Sequence, residues 1–464
     1  MAGWSRRGFL GLAVGAGLTA GCGPEARKLV GRGLPEDLEP PKGPVEVPLR
    51  LANRLGFGPR PGDLGRIEKL GHAGFVTEQV AADHEEPLHL RMKARSLEID
   101  QFQPADLEGW PEEYVIRQLQ QRALLFAIYS PNQLRERMVD LWTNHFNIYA
   151  RKGRAMYRVS KDQTEVIRQN ALGSFPQMVK TSAKSPAMLG YLDNTVNRKG
   201  VPNENYAREL MELHTLGVDG GYTQTDVQEV ARCFTGWSIE NRFMHAKGQF
   251  RFDPDSHDEG AKTVLGQTIP AGGGIEDGER VLEILTTHPS CARFVAGKIV
   301  RCFLGDERLP WTDRLAEIYL LTGGRIAAML VPLLESTDLL DGPPIVKRPF
   351  DFLVSLLRAV DADTDAGAGL QAHLDKMGQP LHQWPMPDGY PDQAGAWTGS
   401  LLARWNFALA LTHGQVPGTH VDFDALGRRT PVRDLIPASR PAKDVEDDRD
   451  HLALLAMSPD FQWR

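Results

Sequence analysis

From Leu49 onward the apolar residues of this 464-residue chain return at i, i+3 and i+4, in segments punctuated by glycine and proline. That period commits the chain to helices packed on one another. It runs from Glu112 to Ala127 and from Gln133 to His145. Shorter segments from Leu49 to Leu55 and from Asp63 to Leu70 end at Gly56 and Gly71, where a helix stop favours glycine. Further helices are predicted over 162–170, 175–182, 224–234, 275–286, 289–303, 311–321, 325–334, 348–360, 401–411 and 451–457. Trp237 to Glu240, Gln249 to Phe252 and Lys262 to Leu265 are short aromatic or β-branched runs split by turn residues, read as a small β-hairpin insertion around residues 237–270. The expected fold class is mainly α: a large, bundle-like single domain spanning 49–464, with no internal repeat.

The first residues read as an address. Ser5-Arg6-Arg7-Gly8-Phe9-Leu10 resembles a twin-arginine export signal, and residues 8–21 follow as an uncharged stretch too short to span a bilayer. Leu18-Thr19-Ala20-Gly21-Cys22 looks like a bacterial lipobox, which makes Cys22 the expected lipidation site and 1–21 a removable signal peptide. Residues 22–48, rich in proline and alternating charge, form a tether. The signal resemblance implies export by the twin-arginine route, usually of folded cargo, to a lipid-anchored position in the periplasm or at the cell surface. The net charge of −7, with no basic stripe, argues against nucleic acid as a partner.

One predicted helix carries more polar chemistry than a surface helix needs. In Asn203 to Gly217, Asn205, Arg208, Glu209 and Glu212 fall within an arc of roughly 100°, with an N-cap at Asn203 and a left-handed stop at Gly217. Arg208 and Glu212 are i,i+4 neighbours, as are Asn205 and Glu209, so a solvated salt-bridged stripe competes with a buried pocket whose carboxylates do chemistry. Trp142-Thr143-Asn144-His145-Phe146 ends an apolar helix on a histidine walled by aromatics. Asp253 to Gly260 packs four acids and His257 into eight residues. Asp258 stands where an EF-hand needs glycine, so calcium of that type is excluded, while mixed ligation of a transition metal by His257 and Asp258 stays open. Gly272 to Gly274 has neither dinucleotide nor Walker spacing, and no G-x-S-x-G, HExxH or CxxC occurs. Cys291 and Cys302 on one helix would stand about 16 Å apart, so any disulfide involves Cys233; three buried free thiols are expected instead.

Asn203-Glu204-Asn205-Tyr206-Ala207-Arg208-Glu209-Leu210, Glu212-Leu213-His214-Thr215-Leu216-Gly217, Asn144-His145-Phe146, His257-Asp258 before Lys262-Thr263-Val264-Leu265-Gly266, and Gly389-Tyr390-Pro391 before Trp397 together resemble the bacterial family catalogued as domain of unknown function 1800. The resemblance runs from about Leu49 to the end of the sequence and carries no established reaction. It implies export, and a partner among the sulfatase-like proteins often encoded beside such chains. Two functions are expected to compete. One is an extracytoplasmic enzyme in which Glu209, Glu212, His145, Arg208 and Asn205 share a cleft with His257 and Asp258 for acid/base or metal-assisted hydrolysis, the latter needing one divalent metal. The other is a non-catalytic partner or scaffold lipoprotein whose polar helix face is buried ion-pair architecture.

Overall fold

The computed structural model describes residues 45–242, 245, 247–429, 436 and 448–464; the expected signal, Cys22 and nearly all of the tether lie outside them. In chain order its helices are α1 (Val47–Leu55), α2 (Asp63–Ala81), α3 (Leu88–Arg95), α4 (Pro104–Leu107), α5 (Glu112–Tyr129), α6 (Gln133–His145), α7 (Met156–Lys161), α8 (Phe175–Ala183), α9 (Pro186–Tyr191), α10 (Asn205–Glu209) and α11 (Gln224–Cys233). After four short strands the chain resumes with α12 (Ile275–Thr287), α13 (Pro289–Leu304), α14 (Leu309–Thr322), α15 (Ile326–Leu334), α16 (Thr337–Asp341), α17 (Pro349–Ala359), α18 (Ala368–Lys376), α19 (Leu401–Thr412), α20 (Phe423–Arg429) and α21 (Asp448–Met457). The fold is mainly α. Among the described residues no helix is long and apolar enough to cross a membrane.

The apolar stripes meet in one contiguous core, in which α13 packs on α14, α19 on α21 and α1 on α2. Proline opens α8, α9, α13 and α17 within the first turn, where its missing N–H costs nothing. Thr223 and Asp226 close a reciprocal capping box on α11. Gly71 makes the expected stop: at φ 67°, ψ 173° its backbone is not helical, and α2 is two helical segments joined across a kink there.

The β insertion differs from a single hairpin. β1 (Trp237–Ile239) pairs antiparallel with β2 (Phe250–Phe252), and β3 (Lys262–Val264) with β4 (Gln267–Ile269), as two separate ribbons. The second closes on Leu265 and Gly266, both at positive φ, the primed turn that matches strand twist. A third two-residue ribbon joins β5 (Asp363–Thr364) to β6 (Thr419–His420).

The polar run at 203–217 is also not one α-helix. After α10 the chain widens into a π turn over Leu210–Thr215, where Leu216 N donates to Met211 O at 2.8 Å, and it stops at Gly217 with φ 82°. A second π turn, Asp162–Arg168, follows α7. Such widened turns concentrate at functional sites.

Candidate functional site

The expected site residues separate into groups. His257 is fully buried among β-ribbon residues: its Nδ1 donates to Thr235 O at 2.8 Å, and its Nε2 lies 3.2 Å from Asp277 Oδ2, which also holds the Lys262 ammonium. Asp258 is gripped at both oxygens by Arg232, at 2.9 and 3.1 Å, and that pairing holds its carboxyl down at about 2. The ligating atoms of both residues are thus engaged by protein. Among the described residues no group of three or more His, Cys, Asp or Glu is placed to share a metal ion.

On α10 and its π turn the expected i,i+4 pairs do not form. Arg208 reaches back to Glu204 Oε2 at 2.8 Å and across to Gln224 Oε1 at 3.0 Å, and Asn205 donates to Leu192 O at 3.1 Å. The pair Arg208 and Glu212 would span the α-to-π junction, where the wider turn shifts the helical register. Glu209 and Glu212 are half-buried and have no hydrogen-bond or ion-pair partner among the described residues. Burial, the Glu212 charge and, more weakly, Asp388 push the Glu209 carboxyl up against the pull of Arg208.

His145 ends α6 inside an aromatic cage of Trp142, Phe146, Phe175 and Phe294, with ring centroids 5.6, 4.4, 5.7 and 6.1 Å away. Its Nε2 lies 3.1 Å from the carbonyl of His214, so Nε2 carries the proton; Nδ1 is buried and finds no donor among the described residues. The π turn delivers His214 there. Burial, with Lys298 beside both rings, lowers His145 well below the ordinary imidazole range and His214 to about 3. Both are neutral at physiological pH, so His145 does not act as a cation on the helix dipole.

His145 lines a cavity of about 80 Å³ with Lys298, Arg301 and Asp392. Asp140, Asn144 and Arg348 border it and equally border a second, more apolar cavity of about 80 Å³, walled by Leu119, Val139 and Phe350. Each has room for a few water-sized groups. Helix α6 supplies the shared wall, since Arg137, Asp140 and Asn144 follow one another at i, i+3 and i+7 along one face. Arg348 bridges Asp140 and Asp351, and Asp351 also takes Arg137; although burial pushes it up, these guanidiniums hold the Asp351 carboxyl well below the usual range. Asn144 clamps the 384–390 loop, donating to Tyr390 O at 2.9 Å and accepting from Tyr390 N at 2.7 Å. Gly389 passes so close that a Cβ there would collide with the Asn144 carbonyl oxygen.

At these cavities the Lys298 amine and the His382 ring have no hydrogen-bonded partner among the described residues. Lys298 Nζ stands 5.1 Å from the Phe294 ring centroid; burial, then Arg301, bring the amine down to about 8 despite Asp392 and Asp388. His382, in the apolar cavity, adopts φ 59° while its carbonyl accepts from Ala150 N, a strained backbone held in place. Burial and Arg122 lower His382 to about 4. A larger cavity of about 350 Å³ lies at Arg60, Arg66 and Arg358, but those cations are paired with Asp361, Glu78 and Asp63.

Sequence reasoning passed over Lys298, His382 and Asp388. Lys298 had a readable signal: it interrupts the apolar face of α13 between Cys291, Phe294 and Cys302 at helical spacing. His382 had none, because a positive φ on a loop histidine leaves no trace in composition.

A family model described as Protein of unknown function (DUF1800) matches residues 50–463. No curated protein and no solved structure matches the chain.

Proposed function

Because the chain belongs to the DUF1800 family, whose description names no reaction, we propose from its own residues that it is an enzyme doing general acid/base chemistry on a small substrate at the α6–α13 cavity. The observation that carries this reading is the Lys298 amine, which lines that cavity with no acceptor at hydrogen-bond distance among the described residues; burial, the largest cause, brings it down to about 8. Lys298 is half-buried, its Nζ within reach of solvent while its surroundings disfavour the charge, the combination found at functional amines. Near neutral pH it is partly deprotonated and serves as a general base toward substrate or water. Glu209, whose carboxyl is shifted up, does not line this cavity and enters the reading as a separate acid on α10; Asp388 acts electrostatically on both groups. Glu212 keeps the Glu209 pKa high, and neutral His145 presents its bare Nδ1 as an acceptor. Arg208 and Asn205 anchor α10 and so position the acids. His257 and Asp258 enter only a metal-assisted variant of this reading, which would recruit one divalent ion by displacing Arg232 and Asp277.

Lys298 reactivity tests the proposal. Acylation by a water-soluble activated ester, followed by peptide mass mapping across pH 6–11, should show Lys298 modified with a midpoint near about 8, ahead of ordinary lysines. A midpoint above 10 overturns it. Below that midpoint the folded protein bears the cost of a charged, unpartnered amine, relieved as pH rises from about 8 toward 10.5. Lys298→Met should therefore raise Tm at pH 7 and flatten its pH dependence over that window.

The second reading, a scaffold lipoprotein serving a co-exported sulfatase-like protein, draws on the density of buried ion pairs around α6, notably Arg137 with Asp351. In either reading the chain is proposed to be exported and held to a membrane through a lipid on Cys22.

A further inference from the structure

The α6–α13 cavity is lined by five cations: Arg137, Lys298, Arg301, Arg348 and Arg464. Three have carboxylate partners, since Arg137 takes Asp351, Arg348 takes Asp140 and Asp351, and Arg301 takes Asp392 at 2.9 Å and Glu307 at 3.1 Å. Lys298 and Arg464 have none among the described residues. Arg464 is about nine-tenths buried, and its Nη2 donates to Cys302 O at 3.0 Å. Its Nε and Nη1, also buried, meet no acceptor. A buried guanidinium left with two unpaired nitrogens loses its hydration without replacement, a cost proteins normally remove by pairing.

We propose that this cavity binds a small oxyanion, with Lys298 and Arg464 supplying the donors and charge that Asp140, Asp351 and Asp392 leave unmatched. Arginine suits carboxylate and phosphoryl oxygens alike, and lysine adds a compact charge. The inference rests on the acid/base reading for its place in a reaction: the anion is the charged end of the substrate, held by Arg464 throughout and by Lys298 while its amine is protonated.

Thermal melting of the full chain at pH 7 and constant ionic strength, with inorganic phosphate or acetate replacing chloride, tests the site. Tm should rise with one of these anions in proportion to the logarithm of its concentration above Kd, and acylation of Lys298 should slow several-fold in the same titration. A response to phosphate identifies a phosphoryl-type ligand and a response to acetate alone a carboxylate; either supports the site. Arg464→Gln should abolish the response. Because that change also removes the bond to Cys302 O, Lys298→Met, which touches no such bond, is the second variant and should abolish the Tm response too. Equal melting and equal acylation in phosphate, acetate and chloride overturn the anion site. If Lys298 still titrates near about 8 in that case, the acid/base reading stands without it; a Lys298 that titrates as an ordinary lysine removes the acid/base reading whatever the anions do.

Discussion

Arg208 turns back to Glu204, and this one choice decides what the acids on α10 and its π turn can be. With no cation paired to them, Glu209 and Glu212 are not halves of buried salt bridges, so Glu209→Gln and Glu212→Gln should each shift stability by no more than about 0.5 kcal/mol. Glu209→Gln should fall on the stabilising side. The Glu209 carboxyl is raised, so its contribution is present at low pH and lost as pH climbs through the folded value; the gain from Gln is largest at alkaline pH. Melting curves of both variants decide it, and large losses in both would favour the scaffold. Asp162 offers a clearer case of the same sign. Burial pushes it up to about 7 against one hydrogen bond from Ser185 Oγ at 2.6 Å, and its Oδ2 has no partner. Asp162→Asn should be near neutral at pH 4 and stabilising by on the order of 1 to 3 kcal/mol at pH 8, measured by urea unfolding at the two values. At this scale the sequence exposed residue types but not their partners. Asn205, Arg208, Glu209 and Glu212 lie on one short stretch of chain, yet which charge meets which depended on a π turn that side-chain spacing does not encode.

Among the elements, α6 does the most to shape the cavities, and its hold on the 384–390 loop is the point to break. Asn144→Ala leaves the backbone N–H and carbonyl of Tyr390 without their partner, which should cost about 2 to 4 kcal/mol and speed hydrogen exchange at the Tyr390 amide. Asn144→Asp, which keeps the acceptor, should lose less. The long helices α5, α6, α12, α13 and α14 were legible because two or more turns of apolar period outweigh local noise. α7, α9 and α16 span six residues or fewer, too short for a period to declare itself, and α18 falls between the helices predicted over 348–360 and 401–411, where no element was predicted. The β insertion was seen in the right place but as one hairpin. Its division follows from Leu265-Gly266, which closes the second ribbon over two residues and leaves no strand to join the first.

For the molecule as a whole, the apolar pattern from Leu49 onward was enough to foresee a mainly helical body, whereas its cavities arise where α6, α13, α17 and the 384–390 loop meet and belong to no single segment. In the lipoprotein proposal, where that body resides is set by the chain ahead of it. Cys22→Ala should shift the protein from the membrane fraction to the soluble one, and intact mass of the mature parent should show a lipidated cysteine as first residue; an unmodified first residue elsewhere would remove the lipoprotein proposal. The described cysteines bear on the same matter from another side. Cys233 and Cys291 are buried, their thiols pushed up to about 12 chiefly by burial, and neither they nor Cys302 form a disulfide. Nothing among the described residues therefore waits on an oxidant. The order of events this permits is assembly first and transit afterwards: the described body can be finished in a reducing compartment, and on the lipoprotein proposal the covalent steps that remain, cleavage of the signal and acylation of Cys22, fall on the chain ahead of it.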